Sequence, residues 1–314
     1  MNLVYYLLVI IAGFFVLTLS AKQAMKRTVN ISRHFGVSEF VICFILVGAI
    51  AVFPEMSIGI NSALSGNSSL GLGIVFGSNV ADLTLVLGLV ALLTKGIKLH
   101  PHTINKSKWF IFAVLLPVLL LFDGTISRLD GFLLILSFAC YVVYMFVNKK
   151  NHTKPFLKKN FNIYFEIFIL LVSLSFLLLA GKIINDAAQG MGMMLALPLI
   201  FLGIILAIGT CLPELMFAFQ ASENNHSESG FGDVLGNVVT DCLATLGIIS
   251  MISPITPVAP LFGFIAGAFM IFSLFAVLFF LEDDYILSRR DGIMLISIYA
   301  IFLVVQTLLE YSLL

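Results

Sequence analysis

Ten apolar runs recur from one end of the chain to the other, and they restrict the fold more than any other feature of the sequence. Most of them reach or approach the roughly 20 residues that a helix needs to cross a bilayer. Hydrophobic residues make up 60% of the chain and charged residues 11%, which leaves no soluble domain of useful size. The sequence therefore predicts an all-α polytopic membrane protein embedded in a lipid bilayer, with about ten transmembrane helices near residues 3–20, 38–64, 70–93, 109–122, 130–147, 161–181, 192–221, 232–251, 258–281 and 292–309.

The basic residues test this helix map, because they collect in alternate loops. Of the 17 Lys and Arg residues, 15 lie in the predicted loops 1–2, 3–4, 5–6 and 9–10, and only Arg128 and Lys182 lie on the other side. By the positive-inside rule the basic side is cytoplasmic, so both termini are predicted to lie outside the cell membrane. The formal net charge is zero, which points to no nucleic-acid partner.

An internal repeat relates two parts of the chain. The segments GAIAVFPEMSIGINSA (48–63) and AIGTCLPELMFAFQAS (207–222) align without a gap, and FGSNVADLTLVLG (76–88) meets LGNVVTDCLATLG (235–247) in the same register. The matching elements lie five predicted helices apart, an odd number, so the two copies have opposite orientations in the membrane. We therefore expect two inverted-topology five-helix repeats, residues 1–150 and 161–314, joined by a basic cytoplasmic linker at 151–160.

Carboxylates and prolines occupy matching positions in the two repeats: Glu55 and Glu214, Asp82 and Asp241, Pro54 and Pro213. A pseudo-two-fold axis would bring the four carboxylates toward one point near the bilayer midplane, where the prolines free backbone carbonyls. Such an all-oxygen environment suits Ca²⁺ and Na⁺ better than zinc or copper. One divalent ion cancels only two of four negative charges, so further cations or protons must neutralise the remainder. Mutually exclusive loading then favours coupled antiport of inorganic cations, and no cofactor is expected.

Other polar features are expected to lie outside this centre. The four cysteines show no metal-ligand spacing. The acidic stretch SENNHSESGFGD (222–233) is predicted to be a solvated connector, and His226 within it has no partner at a ligand spacing. An enzyme is the least expected class, because no His or Cys nucleophile and no metal-ligand cluster accompanies the carboxylates.

The motifs resemble those of a known family. GTCLPE (209–214) resembles the GTSLPE signature of the prokaryotic-type sodium/calcium exchanger family, within the calcium/cation antiporter superfamily, and GSNVAD (77–82) and HFGVSEFVI (34–42) are similar to further family elements. The resemblance implies alternating access, by sliding of helices 1 and 6 across a rigid core. It also implies a central Ca²⁺ site of Glu55 and Glu214 with the carbonyls of Ala51 and Thr210, completed by Asp82 and Asp241. Two flanking sodium sites are also implied. One consists of Thr210, Asn237 and Glu55 with the carbonyl of Ala207. The other consists of Ser78 and Glu214 with the carbonyl of Gly48.

The chain departs from this family pattern at several of the implied ligands. Ala51 and Val52 stand where the family has Thr and Ser, Asn237 stands where it has Ser, and both positions 82 and 241 are Asp. The leading hypothesis is a Ca²⁺ antiporter driven by Na⁺, with a monomer as the functional unit. An H⁺-coupled antiporter of Ca²⁺ or another divalent cation is the alternative, in which a proton on Asp82 or Asp241 replaces one sodium. A non-transporting membrane sensor or scaffold is the rival from another class, and the retained glutamates disfavour it.

Overall fold

Helices form nearly all of the secondary structure in the computed structural model, which describes residues 3–35, 39–66, 68–101, 103–104, 110–147, 162–194, 211–256, 260–282 and 284–313. The first half contains α1 (Leu3–Phe35), α2 (Glu39–Ile42), α3 (Gly48–Ala51), α4 (Phe53–Leu64), α5 (Ser68–Ala81), α6 (Leu87–Leu93), α7 (Phe110–Leu120) and α8 (Arg128–Val147). The second half contains α9 (Ile163–Met194), α10 (Leu212–Glu223), α11 (Ser227–Thr240), α12 (Leu246–Ile252), α13 (Pro260–Phe280) and α14 (Arg289–Leu313).

Wider helical turns interrupt three of the apolar segments. π-helical turns join α2 to α3 (Cys43–Val47), α5 to α6 (Asp82–Val86) and α11 to α12 (Asp241–Thr245). Such turns are rare and occur frequently at functional sites. The last two begin at Asp82 and Asp241, which are matching positions of the sequence repeat.

Within the described residues, seven helical segments are long and apolar enough to cross a membrane: Leu3–Phe35, Gly71–Leu93, Arg128–Met145, Ile163–Ile184, Ser227–Ile252, Gly263–Phe280 and Arg289–Leu309. Two shorter apolar helices, Glu39–Ala51 and Phe110–Asp123, coincide with predicted spans to within a residue or overlap them. The molecule is thus a predominantly helical, multi-pass membrane protein, as predicted. The count of ten stays a prediction, since most of the predicted span 192–221 lies outside the described residues.

Two helices are much longer than the apolar runs predicted. α1 has 33 residues and α9 has 32, so each is about 50 Å long at 1.5 Å per residue. Lys22 and Arg27, which were assigned to loop 1–2, therefore lie within α1, because Ala24 and Val29 continue its buried face beyond the apolar run. The two helices pack along each other, and the Arg27 guanidinium lies 3.2 Å from the Glu166 carboxylate.

The core of the molecule forms where α11 crosses the segment that contains α2 and α3. Gly232 and Gly236 of α11 face the backbone of Phe40 and Phe44, and an added Cβ at Gly236 would lie 2.8 Å from the Cα of Phe44. The absence of side chains at both glycines therefore permits the close approach of the two backbones. The Phe44 ring stacks on Phe110 at 5.3 Å and closes the crossing on its other side.

Short β contacts tie the loops together, which the sequence did not predict. β1 (Ile97–Lys98) pairs antiparallel with β2 (Ile286–Leu287). An isolated antiparallel bridge joins Ile126 to Ile255. By the helix map, the first pairing lies on the predicted cytoplasmic side and the second on the opposite side, so each links loops from the two halves of the chain.

Candidate functional site

Both glutamates of the repeated motif lie in the first turn of a helix, directly after a proline. α4 begins at Phe53, with Val52 as the N-cap, so Glu55 lies in its first turn directly after Pro54. Glu214 occupies the same place in α10, directly after Pro213. Because the N-terminal end of a helix carries a partial positive charge, it is a favourable place for a carboxylate. The side chains are buried, at 5% and 3% exposure, so neither charge is screened by solvent.

The two aspartates begin the π-helical turns. Asp82 follows α5 and Asp241 follows α11, and each residue is at most 1% exposed. Both lie near the glutamates: the charge of Glu55 interacts with those of Asp241 and Asp82, and the charge of Glu214 interacts with those of Asp82 and Glu55. The four predicted carboxylates therefore share one buried neighbourhood.

Two hydrogen bonds cross between the halves in a matched pattern. Asn237 Nδ2 donates to Asp82 Oδ2 at 2.7 Å, and Ser78 Oγ donates to Asp241 Oδ2 at 3.3 Å. In each case the donor lies four residues before the aspartate of its own helix and contacts the aspartate of the other. The Ser78 hydroxyl also lies 3.2 Å from the Val75 carbonyl, so its bond to Asp241 is the weaker of the two.

Several oxygen atoms in this neighbourhood have unused acceptor capacity. Among the described residues, no hydrogen bond reaches the buried oxygens Glu55 Oε2, Asp82 Oδ1, Glu214 Oε2, Asp241 Oδ1 and Asn237 Oδ1. A buried polar atom without a partner costs roughly 1–3 kcal/mol, and more if charged. These atoms are the kind of hard oxygen donors that Ca²⁺ and Na⁺ accept.

The charge of the neighbourhood is not balanced by the protein itself. In the described part of the chain, no Lys or Arg forms an ion pair with any of the four carboxylates; the ion pairs found there join Arg27 to Glu166 and His226 to Glu39. Nor do three acidic, His or Cys side chains of that part converge closely enough to hold one metal ion. A cation bound in this conformation would therefore need neutral oxygens or water besides the carboxylates.

The backbone positions proposed as ligands are only partly described. Gly48 packs directly on α11, and its carbonyl accepts a hydrogen bond from the Val52 N–H at 3.3 Å. Ala51 is buried at the end of α3, next to the break. Thr210 and Ala207 lie outside the described residues.

Asp233 is a buried acidic residue that the sequence interpretation missed. The prediction of a solvated connector over 222–233 was wrong from residue 227 onward, because α11 begins at Ser227 and Asp233 is 1% exposed. The charge of Asp233 interacts with those of Asp82 and Glu214. The spacing of four residues from Asp233 to Asn237 was the signal that could have found it.

His226, which has no partner at a ligand spacing in the sequence, contacts a residue from the other half of the chain. Its Nδ1 lies 2.7 Å from Glu39 Oε2, and Ser229 Oγ donates to the same oxygen at 3.1 Å. Both contacts join loop 7–8 and the start of α11 to the first turn of α2. They were not visible in the sequence because the contacting residues lie 187 and 190 positions apart.

Buried carboxylates and amides at helix interruptions, with no basic partner among the described residues, are typical of membrane proteins that transport ions. The match to a protein family makes this specific. Residues 5–147 and 165–308 match the family model for the sodium/calcium exchanger protein, and the chain belongs to this family. The resemblance seen in the motifs is thereby confirmed.

Individual relatives cover most of the chain at low identity. The Sodium/calcium exchanger MaX1 of Methanosarcina acetivorans is 24% identical, with 95% of this chain and 97% of that protein covered. The Putative antiporter CaxA of Alkalimonas amylolytica is 26% identical, with 76% and 78% covered. A solved structure of the sodium-calcium exchanger NCX_Mj, soaked with Na⁺ and Sr²⁺, matches with a TM-score of 0.82 at 22% identity, covering 96% of this chain and 98% of that one. This structural likeness shows a shared fold.

Proposed function

We propose that the protein is a secondary active antiporter that exchanges Ca²⁺ for Na⁺ by alternating access. The ions bind at a central site of Glu55, Glu214, Asp82 and Asp241. Oxygens of Asn237 and Ser78 and the backbone carbonyls of Gly48, Ala51 and Ala207 supplement this site, together with Thr210. The observation that carries the proposal is the pair of cross-helix hydrogen bonds at repeat-equivalent positions, set among buried carboxylate oxygens that receive no hydrogen bond from the described residues.

The same contacts support the proposed architecture of two inverted five-helix repeats, residues 1–150 and 161–314. Helix packing adds a second matched pair: a Cβ added at Gly88 would lie 2.9 Å from the carbonyl oxygen of Gly292, and one added at Gly247 would lie 2.9 Å from that of Gly131. Gly88 and Gly247 are repeat-equivalent in the sequence. The proposal keeps ten transmembrane helices, both termini outside, a cytoplasmic linker at 151–160 and a monomeric functional unit.

Charge balance explains why such a site would exchange one cation for another rather than cross the membrane without a bound cation. Four ionised carboxylates in a low-dielectric interior repel one another, and the described residues supply no basic partner. The site therefore needs cations or protons in every state that crosses the membrane. One divalent ion cancels only two of the four charges, so further cations or protons neutralise the remainder, and loading with different cations in turn gives coupled exchange.

Proton coupling is the second candidate, and the pair of aspartates favours it. With Asp at both 82 and 241, and Ala51 in place of a hydroxyl residue, the site has one more negative charge and fewer neutral oxygens than the family pattern implies. A proton shared by Asp82 and Asp241 would restore the balance, and the two groups would then titrate jointly.

The test is isotopic Ca²⁺ flux into proteoliposomes with Na⁺, H⁺ and K⁺ gradients imposed one at a time. Uptake driven by an outward Na⁺ gradient is expected, and uptake driven only by a pH gradient would replace the sodium proposal with the proton one. Glu214→Gln keeps the size of the side chain and removes its charge, so it is expected to lower the flux at least 100-fold. Asp186→Asn, the same chemical change at an exposed position of α9, serves as the matched control.

A separate result would refute the proposal that these carboxylates transport ions. If Glu214→Gln left Ca²⁺ binding and all cation fluxes unchanged while Asp186→Asn behaved as wild type, the carboxylates would not form the transport site. A sensor or scaffold would then be the better interpretation of the retained fold.

A further inference from the structure

A line of polar side chains runs along α11 and into the π-helical turn that follows it. Ser229, Asp233, Asn237 and Asp241 are four residues apart, so they occupy one side of the helix. All four are at most 2% exposed. Polar groups buried at four successive turns of a membrane helix are costly and are usually functional.

In the first half, the equivalent positions are polar only next to the central carboxylates. In the register of the sequence repeat, Asn237 and Asp241 correspond to Ser78 and Asp82, which belong to the central neighbourhood. In the same register, Ser229 and Asp233 correspond to Leu70 and Ile74. The polar line therefore extends from the centre toward one membrane face, along the second half alone.

Asp233 lies at the inner part of this extension, next to the central carboxylates. Asp233 and Glu214 line the same small cavity of about 10 Å³, whose other walls are apolar, and a cavity of roughly this size is the least that holds one water molecule. Asp233 Oδ1 is buried and receives no hydrogen bond from the described residues. The oxygen therefore adjoins the centre with its acceptor capacity unused.

The outer end of the line meets a wide cavity on the basic-loop face, the predicted cytoplasmic face. Ser229 Oγ donates to Glu39 Oε2 at 3.1 Å, and Glu39 lines a cavity of about 720 Å³ together with His226, Lys98 and Glu228. Ser229 thus contacts a residue that lines the wide cavity, and Asp233 lies one helical turn further along the same side of α11.

We propose that Asp233 is a fifth ion-binding carboxylate, at which a hard cation such as Ca²⁺ or Na⁺ binds in transit between the central carboxylates and the wide cavity. Ions then exchange with the basic-loop face along α11. The inference rests on the proposed exchange function, because it assigns a route to the ions of that exchange. The equivalent position in the first half is Ile74, so the proposed site serves the basic-loop face alone.

The test is the side dependence of the Ca²⁺ requirement in proteoliposomes with a single orientation of active protein. For Asp233→Asn we expect the KM for Ca²⁺ added at the basic-loop face to rise at least tenfold, and the KM at the opposite face to change less than twofold. Asp233→Glu retains a carboxylate and is expected to restore most of the affinity. Asp186→Asn makes the same chemical change at an exposed position of α9, away from the wide cavity, and is expected to change neither KM more than twofold.

A second measurement does not depend on the folding of Asp233→Asn. In Asp233→Cys, a membrane-impermeant cationic thiol reagent added at the basic-loop face is expected to label the protein above the wild-type background, and Ca²⁺ is expected to slow this labelling. Labelling absent from that face, or unaffected by Ca²⁺, would overturn the inference.

The outcomes separate this inference from the proposed function. An equal rise in KM at both faces would mean that Asp233 acts only through its charge on the centre, and an unchanged KM at both faces would remove it from the route; either result overturns the inference while exchange itself stands. Wild-type protein that exchanges no cation would overturn the proposed function instead.

Discussion

The close approach between the interrupted helix and α11 can be tested by adding a single methyl group. A Cβ at Gly48 would lie 2.8 Å from the backbone N of Asn237 and 2.8 Å from the carbonyl carbon of Gly236. Both obstacles are backbone atoms of α11, which cannot rotate away as a side chain can. Gly48→Ala therefore has to move α3 and α11 apart.

The size of the effect follows from this geometry. Carbon atoms in contact normally lie roughly 3.5–4.0 Å apart, so relief of the 2.8 Å contacts needs a separation of about 0.7 Å. Overpacking of this kind costs about 1–3 kcal/mol. This cost should lower the free energy of unfolding, and because the Gly48 carbonyl and Asn237 are both proposed ion ligands, their separation should also weaken Ca²⁺ affinity, by at most about 150-fold if the ion-bound state carries the whole cost.

The assay is equilibrium ⁴⁵Ca²⁺ binding together with thermal unfolding of the purified protein. Gly59→Ala is the matched control, because its Cβ would meet the Cγ1 and Cδ1 atoms of the Ile249 side chain, which can rotate. Both variants gain about 1 kcal/mol of helix propensity, so the difference between them reports the clash with the backbone. Wild-type affinity and melting temperature in Gly48→Ala would refute the packing argument, and so would an equal loss in Gly59→Ala.

Two further predictions concern polar contacts. Asn237→Ala removes the 2.7 Å hydrogen bond to Asp82 and should lower the free energy of unfolding by about 1.5–3 kcal/mol, measured by denaturation in detergent. Ser78→Ala should cost about 1 kcal/mol, because its bond is 3.3 Å long and shared; the reverse order would contradict the geometry. The Arg27–Glu166 pair is partly exposed, so a double-mutant cycle with Arg27→Met and Glu166→Gln should give a coupling below about 1 kcal/mol, and a larger value would refute this weak coupling.

Most of the fold could be predicted because lipid imposes a strong rule on the sequence. Apolar runs located the helices of the described region, and three short motifs showed the resemblance to the family. The ends of α1 and α9 were missed, because hydropathy ends where Lys22 or Lys182 begins although the helix continues. Where a helix continues beyond its apolar run, its end depends on packing against other parts of the protein, and hydropathy does not report this packing.

The sequence was sufficient to predict which residues form the candidate site. It was not sufficient to predict how the backbone places them. Proline next to glutamate in an apolar run identified Glu55 and Glu214 without a structure. The π-helical turns at Asp82 and Asp241 had no local signal, since no residue type demands such a turn. Asp233 was missed because the glycines and serines around it are typical of a loop, whereas in the structure those small residues permit α11 to pack closely on α2.

Charge asymmetry between the halves makes the two ends of the proposed ion route unequal. The two central pairs, Glu55 with Glu214 and Asp82 with Asp241, are symmetric and would serve both orientations of the site equally. Asp233 has no counterpart, since Ile74 occupies the equivalent position. An added negative charge attracts a divalent ion about twice as strongly as a monovalent one at the same distance. The Asp233 site would therefore bind Ca²⁺ in preference to Na⁺ on the route to the basic-loop face. The two faces then need not have the same Ca²⁺ affinity, even though the central site is built from matching residues of the two halves.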